Sequence, residues 1–413
     1  MKLIYQIAIS SYTTLIRVAS LFNHKAKLWL NGRKNSFPYL ITHLNKKDDI
    51  IWFHCASLGE FEQGKPLMEK IKKLHPNYKL LVTFFSPSGY EYRKDNELID
   101  FVCYLPVDNN KNAKKFIALV KPKQAYFVKY EFWYYYLATL HHQHIPTYLI
   151  SGVFRANQPF FKWYGSFNRK MLSFFTHFFI QNKASVDLLN SIGFNNITQS
   201  GDTRIDRVYE NSLSPISLPI IEKFTNKKTT IILGSSWEKE EEIISTYIQT
   251  TDKEFNYIIA PHDVSKPHID NLIATLNTKH LLYSDANQRN VIQHNILIID
   301  NIGILANCYQ YTDIALIGGG FSGSLHNILE PASFGNAVLF GEKHHKFHEA
   351  QELIDNYAAF SIGSLDDFIA IINHLLLKEN LQDTKNAASK YIVNGVGATD
   401  KIWEVVKNNF KNT

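Results

Sequence analysis

Two doubly wound α/β domains, each on a parallel sheet, are the fold class this sequence predicts, and three observations predict it. Short β-rich runs alternate with helix-like stretches along almost the whole chain, the pattern left by βαβ units. The alternation falls into two series separated by residues 211–228, NSLSPISLPIIEKFTNKK, whose prolines, serines and weak periodicity read as a linker. At 413 residues the chain exceeds the size at which a single core keeps growing.

The N-terminus, MKLIYQIAISSYTTLIRVASLF, carries Leu3, Ile4, Ile7, Leu15, Val18 and Phe22 at roughly helical spacing. Gln6, Ser10, Ser11, Thr13, Thr14 and Arg17 interrupt it, so it is too polar for a secretory signal or a spanning helix. With Lys2, Arg17, Lys25 and Lys27 placed to meet lipid phosphates, residues 1–26 are expected to form a helix on the membrane surface. The alternative is a helix packed on its own domain.

The first series of strands is expected at 50–54, 79–85, 101–105, 124–129, 147–150 and 177–181, giving a domain over 27–210. The second is expected at 230–233, 257–260, 281–283, 296–299, 314–317 and 337–340, giving a domain over 229–385. From about Asp366 onward the composition is helical, and 386–413 form C-terminal helices. Ligands of such sheets bind at the carboxyl ends of the strands, so a central cleft faced by the two domains is the expected site.

Composition narrows the function. The 44 Lys and Arg exceed the 38 Asp and Glu only mildly, and no arginine-rich run or zinc-finger spacing occurs, so a nucleic-acid partner is not expected. The three cysteines are too few and scattered for a disulfide framework or a zinc site. Two histidine clusters, His141, His142 and His144, then His344, His345 and His348, lack a carboxylate or cysteine at zinc-site spacing, so no metal is expected. Neither a G-x-S-x-G elbow, a Walker lysine loop nor an H-E-x-x-H helix is present, against hydrolase and NTPase chemistry.

Several strand-to-helix turns carry the candidate chemistry. In IWFHCASLGEFEQGKPL an apolar strand ends in a small-residue turn with Ser57 and Gly59 beside Glu60, a layout suited to a general base at a sheet's mouth. With an ordinary carboxyl pKa of about 4.3, Glu60 would be ionised at neutral pH. KYEFWYYYL sets Glu131 at the end of another strand. IALIGGGFSGSLHNILEPASFGNAVLFG opens into Gly318, Gly319 and Gly320 and then starts a helix near Leu325, a potential phosphate cradle with His326, Asn327 and Glu330 beyond it. In GSSWEKEEE, Ser235 and Ser236 are N-cap candidates and Glu238 a candidate ligand residue. GDTRIDRV places Arg204 and Asp206 just before the linker, where they could face the cleft or form a surface ion pair. FRANQPFFKWYGSFNRKMLSFF mixes Arg155, Lys162, Arg169 and Lys170 with eight aromatics, suiting an anionic acylated ligand or a buried helix with snorkelling basic groups.

Taken in order, HCASLGE, Glu131 before Phe-Trp, Gln181 with Asn182, GDTRID, GSSWEKEEE and the H-N-x-L-E-P glycine stretch resemble the motif series of the bacterial 3-deoxy-D-manno-octulosonic acid (Kdo) transferases of lipopolysaccharide synthesis, from about Lys27 to the last helices. The resemblance implies a GT-B fold of two Rossmann-like domains. It further implies an inverting, metal-independent transfer from CMP-Kdo, a substrate rather than a cofactor, to a lipid A precursor (lipid IVA) at the cytoplasmic face of the inner membrane. Glu60 matches the family's general base. Gly318, Gly319, Gly320, His326, Asn327 and Glu330 match its donor-binding loop, and Arg204 stands where many members carry lysine. Ser235, Ser236, Glu238, Pro261 and His262 complete the expected donor side; Ser57, Gly59, Glu131, Arg155 and Asn182 form the expected acceptor or cleft side. The leaving phosphate is expected to meet the glycine-loop amides, Arg204 and Lys346.

The chain departs from the family in three places. Pro261-His262-Asp263 stands where many members read Pro-Arg-His, Ser324-Leu325 where two glycines are common, and Lys129-Tyr130-Glu131 where a run is Glu-Thr-Glu. Two other readings are a GT-B transferase using a UDP-sugar and a non-catalytic lipid-binding protein at the membrane surface.

Overall fold

The computed structural model describes residues 1–410 apart from 95, 227 and 378. The chain divides into two compact units, one comprising Met1–Asp206 with Gly397–Thr413 and the other Arg207–Val396.

Unit 1 is a seven-stranded, wholly parallel sheet of β1 (Ile50–Cys55), β2 (Lys79–Phe84), β3 (Phe101–Tyr104), β4 (Gln124–Val128), β5 (Thr147–Gly152), β6 (His177–Ile180) and β7 (Ile197–Gln199), in the order β3-β2-β1-β4-β5-β6-β7. Both faces are covered, so β1, β4 and β5 are buried at every residue and read as continuous apolar runs rather than as alternation. Ile50 and Trp52 face one half of the core with Phe116, Phe127 and Tyr136. Ile51, Phe53 and Cys55 face the other half with Phe61, Leu67 and Ile71 of the helix Leu58–Leu74.

Unit 2 repeats the plan with β8 (Thr230–Ser236), β9 (Asn256–Pro261), β10 (Leu281–Leu282), β11 (Ile296–Ile298), β12 (Ile314–Ile317), β13 (Ala337–Gly341) and β14 (Ala359–Ile362), in the order β10-β11-β9-β8-β12-β13-β14, again all parallel. Twelve of these fourteen strands lie where the apolar runs place them. The two that composition does not announce, β7 and β14, are sheet edges: β7 is half-exposed and both are short, so neither needs a long apolar run.

The expected boundaries shift in three places. Residues 211–228 are not a bare linker, because the helix Thr203–Leu213 runs into them and the helix Pro219–Thr225 buries Ile221 and Phe224 within unit 2. The C-terminal helices are not one body either. The helix Asn380–Gly395 belongs to unit 2, whereas Ala398–Val406 returns to unit 1, where Ile402, Trp403 and Val406 complete the core behind β1. Asp206 secures that return: its buried carboxylate accepts the N–H groups of Gly397 at 2.6 Å and Thr399 at 2.6 Å, capping the helix start. Asp206 is thus a helix cap rather than a surface ion-pair partner.

The N-terminal segment forms one helix, Lys2–Ala19, and the chain breaks at Asn23, which caps a second helix, His24–His43. The second helix belongs to the sheet: Ser36 donates to the Tyr104 carbonyl at 2.8 Å, and Arg33 lies 3.6 Å from the Trp29 ring while donating to the Phe85 carbonyl. The boundary at 26 therefore falls inside this helix rather than at the break. No described helix is long and apolar enough to cross a membrane.

Candidate functional site

A doubly wound sheet opens a crevice where two neighbouring strands send their connections in opposite directions, beyond the strands' carboxyl ends. In unit 1 that point lies between β1 and β4, and in unit 2 between β8 and β12. The four turns at these ends carry Ser57-Gly59-Glu60, Lys129-Glu131, Ser235-Trp237 and Gly318–Gly320. Sequence motif and topology therefore select the same four loops.

In unit 1, Ser57 occupies the N-cap of the helix Leu58–Leu74 without a side-chain capping bond, and Glu60 lies in the first turn. Its carboxylate reaches back to accept the Ala56 N–H. Burial first, then the neighbouring Glu131 charge, push the Glu60 carboxyl up from its ordinary 4.5 to about 8, against the opposing pull of the Ala56 N–H, Lys129 and the Ser57 N–H. The expectation of an ordinary, fully ionised carboxylate is corrected accordingly: at neutral pH most Glu60 side chains in the unliganded protein hold a proton. A Cβ at the exposed Gly59 would meet nothing within 4 Å, so no packing constraint demands glycine there.

Glu131 is buried behind this turn in a network that composition alone does not reveal. His54 Nδ1 lies 2.9 Å from the Thr83 hydroxyl oxygen and 3.1 Å from the Thr83 carbonyl oxygen. Nε2 faces Glu131 Oε2 at 2.9 Å. The Trp133 indole N–H points at the same pair, 2.8 Å from Glu131 Oε2 and 2.9 Å from His54 Nε2. Trp133, whose composition reads as core, is thus a hydrogen-bond donor to Glu131. The signal for His54 was strand alternation, since it shares a face with Trp52 and must point inward beneath the site. Lys129 is one of few non-glycine residues with positive φ, at 58°, a strained conformation of the kind that collects at functional turns.

Arg155 and Asn182 lie on other loops at the carboxyl ends of β5 and β6. Arg155 is exposed, and its N–H donates to Gln158 Oε1. Asn182 caps the helix Lys183–Ser191 by accepting the Ser185 N–H at 2.9 Å, a structural task that accounts for its side chain. Arg204, expected on the donor side, belongs to unit 1, where it grips Asp202 with Nη2 at 2.6 Å and Nε at 3.0 Å. Burial pushes Asp202 up, but the Arg204 charge and hydrogen bonds, with Lys129, outweigh it and hold this carboxyl below its usual range.

In unit 2 the glycine turn is dictated by backbone approach. A Cβ on Gly318 would stand 2.7 Å from the Ser235 carbonyl carbon, and one on Gly320 would stand 2.8 Å from the Cα of Gly341, while Gly319 has φ +84°. The ends of β8, β12 and β13 therefore come together only if these positions lack side chains. Two of the amides proposed for a phosphate are engaged: Gly318 donates to the Gly234 carbonyl, and Gly319 to Glu240 Oε1 at 2.9 Å. The following helix is a five-residue turn, Leu329–Ser333, rather than one starting near Leu325, so the expected helix-start anion site is also reduced.

The residue capping the helix Glu238–Thr250 is Trp237, not Ser235 or Ser236, with Glu240 accepting the Trp237 N–H at 3.1 Å. Ser235 takes φ +51°, and Ser236 donates to Glu241 Oε1 at 2.9 Å. Glu238 is exposed, whereas Glu240 and Glu241 are buried. Helical spacing would have found them, because 240, 241, 244 and 247 share the inward face. Pro261 closes β9 and is buried, and the exposed His262 stacks its ring 4.4 Å from Trp237. His326 follows 4.7 Å from His262, and its Nε2 accepts the Trp237 indole N–H at 3.1 Å. Burial, then His262, lower His326 to about 4, so it is a neutral acceptor at physiological pH. Asn327 donates to Glu330 Oε1 at 3.0 Å; burial pushes the Glu330 carboxyl up, opposed by Asn327 and Arg207. An open recess beside the turn is lined by Gly323, Lys343, His344 and Lys346. Among the described residues no three His, Cys, Asp or Glu side chains gather to hold a metal ion.

Two parallel α/β units of this topology, each with its motif loops at the switch point, define the GT-B architecture. A glycosyltransferase structure from Rickettsia africae matches at 17% identity with TM-score 0.58, covering 89% of this chain and 100% of that one. The same architecture recurs in a UDP-N-acetylglucosamine 2-epimerase from Listeria monocytogenes, at 15% identity, TM-score 0.61 and coverage of 89% and 98%. Residues 31–207 match the family described as 3-deoxy-D-manno-octulosonic-acid transferase (kdotransferase). A Kdo transferase of Rickettsia typhi is 24% identical over 93% of this chain and 85% of its own length. A bifunctional glycosyltransferase/methyltransferase of Fusobacterium nucleatum is 25% identical over 94% of this chain, which spans 60% of that longer protein. Residues 31–207 carry the match to the Kdo transferase family of glycosyltransferases, and the likeness to proteins of that name extends over most of the chain.

Proposed function

We propose that this protein transfers Kdo from CMP-Kdo to a lipid A precursor, lipid IVA in the simplest case, with inversion and without a metal ion, at the cytoplasmic face of the inner membrane. The observation that carries this reading is Glu60: a carboxyl at the switch point of β1 and β4, shifted by burial and by Glu131 to about 8. A base of that strength removes a hydroxyl proton more readily than an ordinary carboxylate, at the cost of being protonated more of the time near pH 7.

Each group has a role in the reading. Glu60 accepts the acceptor hydroxyl's proton as the oxygen bonds to the anomeric carbon, and CMP leaves from the opposite side with the electrons of the broken bond. Glu131, held by His54 and Trp133, raises the proton affinity of the Glu60 carboxyl through its charge. On the donor side, His326, Asn327 and Glu330 offer hydrogen bonds to the nucleotide. The recess where Lys343 and Lys346 stand with Glu342 takes charge from the leaving phosphate in place of the Gly318 and Gly319 amides.

The membrane surface is part of the same proposal. The helix Lys2–Ala19 turns Tyr5 and Tyr12 toward unit 1, where Tyr5 donates to the buried Asp108 at 2.6 Å, and leaves Leu3, Ile4, Ile7, Leu15 and Val18 exposed on the far side. That outward apolar stripe, with the exposed Arg17, suits an anionic bilayer. The test of the activity is mass spectrometry of a lipid A precursor incubated with the protein and freshly made CMP-Kdo. Mass increments of one or more Kdo units are expected, and an unaltered precursor with both substrates intact would reject the assignment.

A further inference from the structure

One exposed feature of unit 1 lies outside the chemistry described so far. Trp163 is 91% exposed and Tyr164 is 52% exposed, side by side, with ring centroids 5.5 Å apart. An indole left wholly in water at an ordinary loop tip gains nothing, yet this tip is braced rather than loose. Arg169 donates through Nη1 to the carbonyls of Phe160 and Lys162, both at 2.9 Å. The Gly165 N–H donates to the Lys162 carbonyl at 2.9 Å, and a Cβ on Gly165 would run into the Pro159 carbonyl, so the turn closes tightly beneath the two rings. Phe160 is buried below it against Phe132 and Phe154.

The tip adjoins the N-terminal helix. The helix Ser166–Leu172, which follows it directly, sends Phe167 to within 5.7 Å of the Tyr5 ring. Tyr and Trp are the side chains that sit at the level of lipid headgroups, where an apolar ring and a polar edge are both accommodated. Lys162 and Lys170 flank the pair, giving the tip the charge that anionic headgroups attract.

We infer that Trp163 and Tyr164 are a second bilayer contact, entering the headgroup layer of an anionic membrane alongside the apolar stripe of the N-terminal helix. This rests on the membrane-surface reading above and extends it from a single helix to a two-point attachment, which fixes the rotation of unit 1 about the helix axis.

The three native cysteines are all buried, so a Trp163→Cys protein can be labelled at the tip with an environment-sensitive fluorophore. Added to vesicles of phosphatidylethanolamine and phosphatidylglycerol, without donor or acceptor, the label should shift to the blue and be quenched by lipids spin-labelled near the headgroup. The full-length Trp163→Ser/Tyr164→Ser protein should partition onto the same vesicles at least about fivefold more weakly than wild type. A label that keeps its aqueous emission while the protein co-sediments with vesicles would overturn the inference, as would a folded double variant that binds like wild type. Because no sugar nucleotide is present, failure of Kdo transfer and failure of this contact give separate results.

Discussion

Replacing Glu60 by Gln should move stability and activity in opposite directions, and the pH dependence separates the two. In the folded protein Glu60 keeps its proton up to about pH 8, whereas in the unfolded chain it releases it near 4.5. Its contribution to stability is therefore fully present below pH 4.5 and is lost as pH rises through 8, above which the fold must hold an ionised carboxylate beside Glu131. At 1.36 kcal/mol per pH unit the displacement corresponds to about 5 kcal/mol, and relaxation around a half-buried group reduces this to roughly 2–5 kcal/mol. Glutamine has the shape of the protonated acid and no proton to lose. Relative to wild type, E60Q should thus gain about 2–5 kcal/mol between pH 4.5 and pH 9, while turnover falls at least about a hundredfold. Urea unfolding followed by tryptophan fluorescence suits the measurement, because Trp29, Trp52, Trp133, Trp163 and Trp403 all lie in unit 1 and only Trp237 in unit 2. Parallel stability–pH curves for the two proteins would refute the raised carboxyl, and near-normal turnover would refute its role as base.

Three further outcomes are expected. The value of kcat/KM should climb about tenfold per pH unit below a break near pH 8, and a plateau beginning near pH 5 would show that the proton acceptor is not the group described here. Gly320→Ala should destabilise unit 2 by about 1–3 kcal/mol and weaken CMP binding, because the obstacle is the Gly341 backbone. Gly59→Ala, with nothing within 4 Å, should fold as wild type in the same thermal scans, and equal effects at the two sites would contradict the packing argument. Asp206→Ala should cost about 2–4 kcal/mol and make residues 398–410 accessible to limited proteolysis, since it removes the acceptor for the Gly397 and Thr399 amides; unchanged protease resistance would show that Ile402, Trp403 and Val406 hold the helix unaided.

How much was legible in the sequence differs by level. The strands of both sheets could be read because a parallel strand covered on both faces must be apolar throughout, a local property of runs such as Ile50–Cys55. The turns bearing Glu60, Glu131 and the three glycines could be read because strand-to-helix transitions require small or polar residues in fixed order. Errors arose where a residue's task depends on a distant partner. Sequence alone leaves Asp206 as a possible ion-pair residue because its partners, at 397–399, lie nearly two hundred residues away in sequence. Sequence alone singles out Glu238 and passes over Glu240, because only the packed helix shows which carboxylate is buried against the Gly319 amide.

Periodicity and short contiguous motifs suffice for the fold class, the four turns and the resemblance to the Kdo transferases. The acidity of Glu60, the His54–Glu131–Trp133 network, the engagement of the glycine amides and the return of the last helix to unit 1 emerge only in the folded chain. Each of those depends on burial or on a partner remote in the chain, and a carboxyl's affinity for its proton is set by the dielectric and charges around it rather than by its neighbours in sequence.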